Sequence, residues 1–241
     1  MNLTRVYIAQ PIECNEMIEL PHEAAKHLLL VLRHQVGDQC ILFNGTGIDY
    51  ISEVVAIKKK QTTVKVLQAQ KIDNESPLHT HLGQAMGKGD RMDYSLQKSV
   101  ELGVNEITPL ITERVNVKLT SERFEKKMQH WRAIIVSAAE QSGRSVLPLL
   151  HSPVVFQEWV QKDFCAQKII CDPLATQSWA ALKKNSALVF AIGPEGGLTE
   201  AEINFAKKHG WQTVLLGPRI LRMETASSTM LSLAQHSWGD L

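Results

Sequence analysis

No apolar run in this chain approaches the length of a membrane span. The longest, such as Leu28–Leu32, falls far short of the roughly 20 residues a spanning helix needs. The opening MNLTRVYIAQ lacks the apolar core of a secretory signal, so the cytoplasm is the expected compartment. Cysteine is sparse. Cys14, Cys40, Cys165 and Cys171 form no Cys-x-x-Cys pair and have no metal spacing with histidine. Reduced thiols are expected, and no metal. Neither sign of charge dominates, with 26 basic against 25 acidic residues and a net charge of +1. A global field for nucleic acid is therefore excluded, and any contact with RNA must come from local patches. Phosphate fingerprints are missing too. There is no G-x-G-x-x-G, and Gly87-Lys88-Gly89 lacks the frame of a P-loop.

What is present is an ordinary folding composition, 44% hydrophobic and 21% charged over 241 residues. That is enough for a sizeable core in one large domain or two modest ones. Residues 1–72 read as β-rich. Arg5–Ala9, Gln39–Asn44, Tyr50–Ile57 and Thr62–Gln68 are short β-branched or alternating runs. Between them stand turn signals: Gly37-Asp38, Asn44-Gly45-Thr46-Gly47 and a hairpin tip at Lys58-Lys59-Lys60-Gln61. One helix is expected over His22–His34, from apolar residues at helical spacing. Short strands with one helix predict a small β-barrel. The polar stretch Lys71–Pro77 reads as a linker.

Residues 73–241 read as a second, α/β domain. Strands are expected at His79–Met86, Glu106–Ile111, Lys168–Cys171, Leu188–Ile192 and Thr213–Leu216. Helices are expected at Arg91–Leu102, Ser121–Ser142, Ser178–Lys184, Glu200–His209 and Thr225–Trp238. Alternation of this kind predicts a mostly parallel sheet covered by helices on both faces.

Two glycine-proline segments follow short apolar strands. The first is Gly193-Pro194-Glu195-Gly196-Gly197, after Ala187–Ile192. The second runs from Leu216-Gly217-Pro218-Arg219 to Ala226, after Trp211–Leu216. Glycine lets backbone approach a ligand closely. Two such loops on neighbouring strands make a site, although either loop alone also reads as a plain tight turn. Thr199-Glu200-Ala201-Glu202 is a capping box, which fixes the first loop between a strand end and a helix start. Glu195 repels phosphate. A ligand with a cationic centre fits better, and S-adenosylmethionine is one. In the second loop, Arg219 and Arg222 offer rigid donor forks for a phosphate or a base edge. Ile220 and Leu221 offer an apolar wall.

The pair GPEGGLTEAEI and LGPRILRMETA resembles the C-terminal signature of the ribosomal RNA uridine-N3 methyltransferases, members of the SPOUT superfamily. Arg5-Val6-Tyr7, the run His27–Arg33 and Val36-Gly37-Asp38 resemble that family's PUA-like RNA-binding barrel. Gln97–Val104, Thr112-Glu113-Arg114 and Ala139–Arg144 resemble its middle blocks. The resemblance covers nearly the whole chain. It implies a SPOUT α/β trefoil-knot domain behind a PUA-like barrel, and a homodimer. It implies a pocket for S-adenosylmethionine built from three loops, after Cys171, at Gly193–Gly197 and at Leu216–Ala226. The expected cofactor-binding residues are Gly193, Pro194, Glu195, Gly196, Gly197, Leu216, Gly217, Ile220, Leu221, Arg222, Thr225 and Ala226. It implies a uridine of 16S RNA as target, in the assembled small subunit.

Methylation at uracil N3 removes a proton and develops an anion across N3 and the flanking carbonyls, which calls for cationic donors. Arg219 and Arg222 are the candidates. Glu224 or Glu195 is a candidate to accept a proton or to steady the sulfonium, although a carboxylate at a helix start has a plain structural reading. Arg5, Arg33, Lys88, Arg91, Arg114 and Arg144 are candidate RNA contacts, together with the Lys58-Lys59-Lys60 tip. Two alternatives stay open. One is a SPOUT enzyme for another RNA, and the other is a non-catalytic RNA-binding assembly factor.

Overall fold

Strand pairing divides the chain into two units in the computed structural model, which describes residues 3–31, 33–58, 61–87, 89–115 and 121–241. The first unit comprises Met1–Glu75 with Val136–Leu147. The second comprises Ser76–Ile135 with Pro148–Leu241. The segment Val136–Leu147, assigned from sequence to the second domain, thus groups with the first.

The first unit is a five-stranded sheet. Its strands are β1 (Thr4–Tyr7), β2 (Met17–Glu19), β3 (Gln39–Phe43), β4 (Ile48–Lys58) and β5 (Gln61–Lys71), in the order β1-β3-β4-β5-β2. β1 pairs with β3 in parallel, and the other pairs are antiparallel. Alternation sends Thr62, Val64 and Val66 of β5 inward, against Val6, Ile18, Leu42 and Val54. Two register shifts in the β4–β5 ladder, at Ile51/Ser52 and Val54/Ala56, supply the local bends that curve a sheet. The expected helix His22–His34 is shorter than its pattern. α1 (His22–Lys26) passes into a π-turn over His27–Val31. Arg33 then adopts a left-handed φ of 57°, and the His34 amide closes on the Leu28 carbonyl at 3.1 Å. Leu32, Lys59 and Lys60 lie outside the described residues.

Two buried ion pairs pin this unit. Arg5 forks onto Asp49 and also donates to Ser145 Oγ at 2.8 Å. Its guanidinium lies 4.9 Å from the Phe43 ring centroid. Arg144, only 5% exposed, forks onto Glu75.

The second unit is a seven-stranded sheet: β6 (His79–Ala85), β7 (Glu106–Ile111), β8 (Leu149–Leu150), β9 (Val154–Val155), β10 (Gln167–Cys171), β11 (Ala187–Ile192) and β12 (Gln212–Val214). The order is β12-β10-β11-β6-β7-β8, with β9 also on β7, and every pair is parallel. Parallel sheets are buried on both faces, and β6 and β11 are buried almost throughout. Helices α2 (Asp90–Glu101), α3 (Ser121–Ser142), α4 (Phe156–Val160), α5 (Glu200–Lys208) and α6 (Met223–Trp238) complete the chain. Trp159, Trp211 and Phe156 pack with Leu110, Ile170 and Val189 as one core.

Two expectations change here. β11 and β12 are not neighbours, because β10 pairs with both and lies between them. The expected helix Ser178–Lys184 reduces to one 3-10 turn, Trp179–Ala181, since Leu182 is already extended. Its indole is held elsewhere, donating to Ser237 Oγ at 3.0 Å and packing on Trp238. No helix among the described residues is long and apolar enough to cross a membrane.

Candidate active site

Parallel strands end together, so the loops leaving β10, β11 and β12 meet at one edge of the second unit. They line a cavity of about 700 Å³. Cys171–Leu174 comes from β10, Ile192–Leu198 from β11, and Leu215–Gly217 with Arg219–Met223 and Ala226 from β12. Inserting β10 between the two glycine loops therefore adds a third wall. The edge where strand order reverses is where open α/β sheets hold ligands.

The β11 loop is built for close approach. Gly197 has a φ of 71°, and its amide closes a turn on the Pro194 carbonyl at 2.8 Å. A Cβ on Gly193 would stand 2.9 Å from the Leu198 amide nitrogen. Arg114, from the segment after β7, donates to the Gly196 carbonyl, and Arg91 pairs with Glu195 at 3.2 Å. Below the loop, α5 starts with its capping box. Thr199 Oγ1 accepts from the Glu202 amide at 3.2 Å, and Glu202 Oε2 accepts from the Thr199 amide at 2.8 Å. The other oxygen of that buried carboxylate accepts from the Glu113 amide at 2.9 Å. Glu202 thereby ties the Arg114 segment to the glycine loop, a second role that the capping motif did not announce.

The β10 loop is tightened by Asp172, buried at 6%, whose Oδ1 accepts from the Leu174 amide at 2.9 Å. Leu174 and Ile220 are each 87% exposed while lining the cavity. Apolar side chains left bare inside a concave, glycine-walled site suit a flat organic ring. The β12 loop turns at Gly217, with φ 125°, and α6 begins with Arg222 at its N-cap. Arg219 and Arg222 are exposed on the cavity lining. Among the described residues no partner holds either guanidinium.

The expected cofactor residues Gly193–Gly197, Leu216, Gly217, Ile220, Leu221, Arg222 and Ala226 all line the cavity, whereas Thr225 does not. Glu224 does not line it either, and its Oε2 is buried with no hydrogen-bond partner among the described residues. Asp172, Leu174 and Asn204 are lining residues that the motifs did not single out. The candidate RNA-contacting residues scatter. Arg91 and Arg114 reach the cavity, Arg33 is exposed in the first unit, and Lys88 lies outside the described residues. Arg5 and Arg144 are spent on Asp49 and Glu75, which leaves them as internal clamps rather than phosphate contacts. A second cavity, of about 590 Å³, lies in the first unit beside Arg5, His27 and Glu140. It has no comparable glycine cradle.

Comparison with known proteins fits this arrangement. Residues 74–235 match the RNA methyltransferase domain, and residues 20–67 match the RNA methyltransferase PUA domain. The chain is 36% identical over 241 residues to the ribosomal RNA small subunit methyltransferase E of Buchnera aphidicola, covering 99% of this chain and 98% of that one. Its fold matches a Legionella pneumophila protein solved with the cofactor S-adenosylmethionine bound, with a TM-score of 0.97 and 40% identity over the full length of both. It also matches the ribosomal RNA small subunit methyltransferase E of Neisseria gonorrhoeae bound to S-adenosylmethionine, with a TM-score of 0.93 and 36% identity, again over both full lengths. The chain belongs to the RNA methyltransferase family, alongside the small-subunit methyltransferases E, and carries that family's PUA domain.

Proposed function

We propose that this chain transfers a methyl group from S-adenosylmethionine to N3 of one uridine in 16S ribosomal RNA, on the assembled small subunit in the cytoplasm. The observation that carries the reading is the three-loop cavity with a glycine cradle, bare apolar walls and, at its rim, two arginines that pair with none of the described residues. Gly193–Gly197 and Leu216–Leu221 hold the cofactor, with Ile220 and Leu174 against its adenine. Bound there, S-adenosylmethionine supplies an electrophilic methyl group on a sulfonium. The cradle offers backbone rather than phosphate-binding side chains, and the Glu195 and Asp172 carboxylates suit a cationic centre.

Arg219 and Arg222 receive the target base. Their donors stabilise the negative charge that grows on the carbonyl oxygens flanking N3 as its proton leaves. Glu195 sits at the rim paired with Arg91 and is one acceptor for that proton. Glu224, in the first turn of α6 but off the cavity lining, would have to turn toward the site to be the other. Positioning supplies much of the rate in a displacement of this kind, because the reacting atoms must be collinear. A duplex would hide N3, so the target uridine is unpaired or flipped out.

Residues 1–72 act as the RNA-binding module and residues 73–241 as the methyl-transfer domain. Arg33, Arg91, Arg114 and Lys88 contact RNA phosphate. The C-terminal strands and α6 form the superfamily's trefoil knot. The parallel order β12-β10-β11 and the packing of α6 on α2 and β11 support that topology. The working unit is a homodimer, as the family resemblance implies. Incubating the protein with methyl-labelled S-adenosylmethionine and small subunits from cells lacking the modification tests the assignment. Label on uridine N3 supports it. Failure to bind the cofactor points instead to a non-catalytic RNA-binding factor.

A further inference from the structure

The edge of the second sheet opposite the cavity carries a cluster that the methyl-transfer chemistry does not use. His79 and His81 stand at the start of β6, Glu106 opens β7, and His151 follows β8. Because these strands run parallel, their beginnings lie together, away from the loops that form the cofactor cavity. The Glu106 carboxylate sits among three imidazoles. His151 Nε2 is 2.6 Å from its Oε2, His81 Nδ1 is 3.7 Å from the same oxygen, and His79 Nε2 is 3.4 Å from Oε1. Ligand atoms of His81, Glu106 and His151 all fall within 4.8 Å of one another.

We propose that His81, Glu106 and His151 form a site for one divalent transition-metal ion, zinc by its donor set, with His79 available as a fourth ligand. Zinc is bound by imidazole and carboxylate at about 2.0–2.2 Å, so small side-chain rotations close this set on a single ion. His81 already has the support a metal-bound histidine needs. Its Nε2 is hydrogen-bonded to Thr108 Oγ1 at 2.8 Å while Nδ1 faces Glu106, and with the proton on Nε2 the Nδ1 lone pair is free for a metal. The ring is buried, with Trp159 and Phe164 edge-on at 5.6 Å each, so one wall of the site is dry. An ion here would clamp β6, β7 and the segment after β8, so its role is structural and its occupancy independent of the methyl donor.

Sequence spacing hides the set because the three ligands are 25 and 45 residues apart, the separations of the contacts His81–Thr108 and His151–Glu106 being 27 and 45. The test uses tag-free, metal-stripped full-length protein, titrated calorimetrically with Zn²⁺ and spectroscopically with Co²⁺. The expected result is one saturable equivalent and a Co²⁺ spectrum of low coordination number. His151→Ala should lose at least about tenfold in metal affinity, while still binding S-adenosylmethionine as the unaltered protein does. His151 is only partly buried, and retained cofactor binding certifies its fold. Absent or non-saturable binding overturns the proposal, as does binding unchanged in His151→Ala.

Discussion

Replacing Gly193 with alanine probes the cofactor cradle directly. The added Cβ would stand 2.9 Å from the Leu198 amide nitrogen, 3.2 Å from Leu198 Cγ and 3.3 Å from the Gly197 carbonyl carbon. The nearest obstacle is backbone, so no rotamer change relieves it. Restoring ordinary contact requires the two ends of the loop to part by about 0.5 Å. Overpacking of this sort costs about 1–3 kcal/mol. If the ligand requires the loop in its native shape, that cost appears as a roughly 5- to 150-fold loss of affinity for S-adenosylmethionine. Gly87→Ala is a graded comparison. Its Cβ would meet the Sδ and Cε atoms of Met223, a buried side chain that itself lines the cavity. A flexible thioether yields more readily than backbone, so its loss of affinity should be smaller than that of Gly193→Ala. Calorimetric titration of both variants, with circular dichroism to confirm folding, gives the comparison. A folded Gly193→Ala protein that binds S-adenosylmethionine within a factor of two of the parent would refute the cradle.

Arg222→Ala should leave cofactor affinity nearly intact and lower the rate of methyl transfer about 10²- to 10³-fold, the usual loss for one charge-stabilising donor. A collapse of cofactor binding alone would show that the side chain serves the ligand instead. Gly83→Ala sets a Cβ against the buried ring of Trp159 and should cost about 1–3 kcal/mol of stability in denaturant titrations. An unchanged midpoint would contradict the packing. Glu140 accepts from the Tyr7 amide at 2.9 Å, yet burial pushes its pKa above the ordinary 4.5. The folded state therefore binds the proton more tightly, and this group's contribution to stability is lost as pH rises through the raised pKa. Glu140→Gln keeps an acceptor for Tyr7 and removes the titration. The melting temperature of the variant should gain on that of the parent from acid to neutral pH, and a constant gap would contradict the sign.

Much of the second unit was legible because its strands are short apolar runs ended by glycine, proline or a capping residue. β7 and α3 begin and end where the pattern predicts, and the Thr199 capping box is present with both hydrogen bonds. What escaped depends on partners distant in sequence. Nothing in Gln167–Cys171 or Gln212–Val214 reveals that β10 inserts between β11 and β12, because strand order is decided by chain crossing rather than periodicity. α4 was missed because five residues, Phe156–Val160, carry too little period to read. Arg5 and Arg144 looked like surface cations, since a sequence does not show the Asp49 and Glu75 carboxylates that fold against them. In the site, the glycine loops announced themselves. Asp172 and Glu202 did not: Asp172 holds the Leu174 amide within its own loop, and Glu202 reaches the Glu113 amide of a distant one.

The central claim is methyl transfer to uridine N3 in the small subunit. The most direct measurement is to incubate the protein with labelled S-adenosylmethionine and intact small subunits lacking the modification, then map the labelled nucleotide by nuclease digestion and mass spectrometry. One methyl group on N3 of a single uridine in 16S RNA is the predicted result. Label on a ribose oxygen or another base, or none despite bound cofactor, would contradict it.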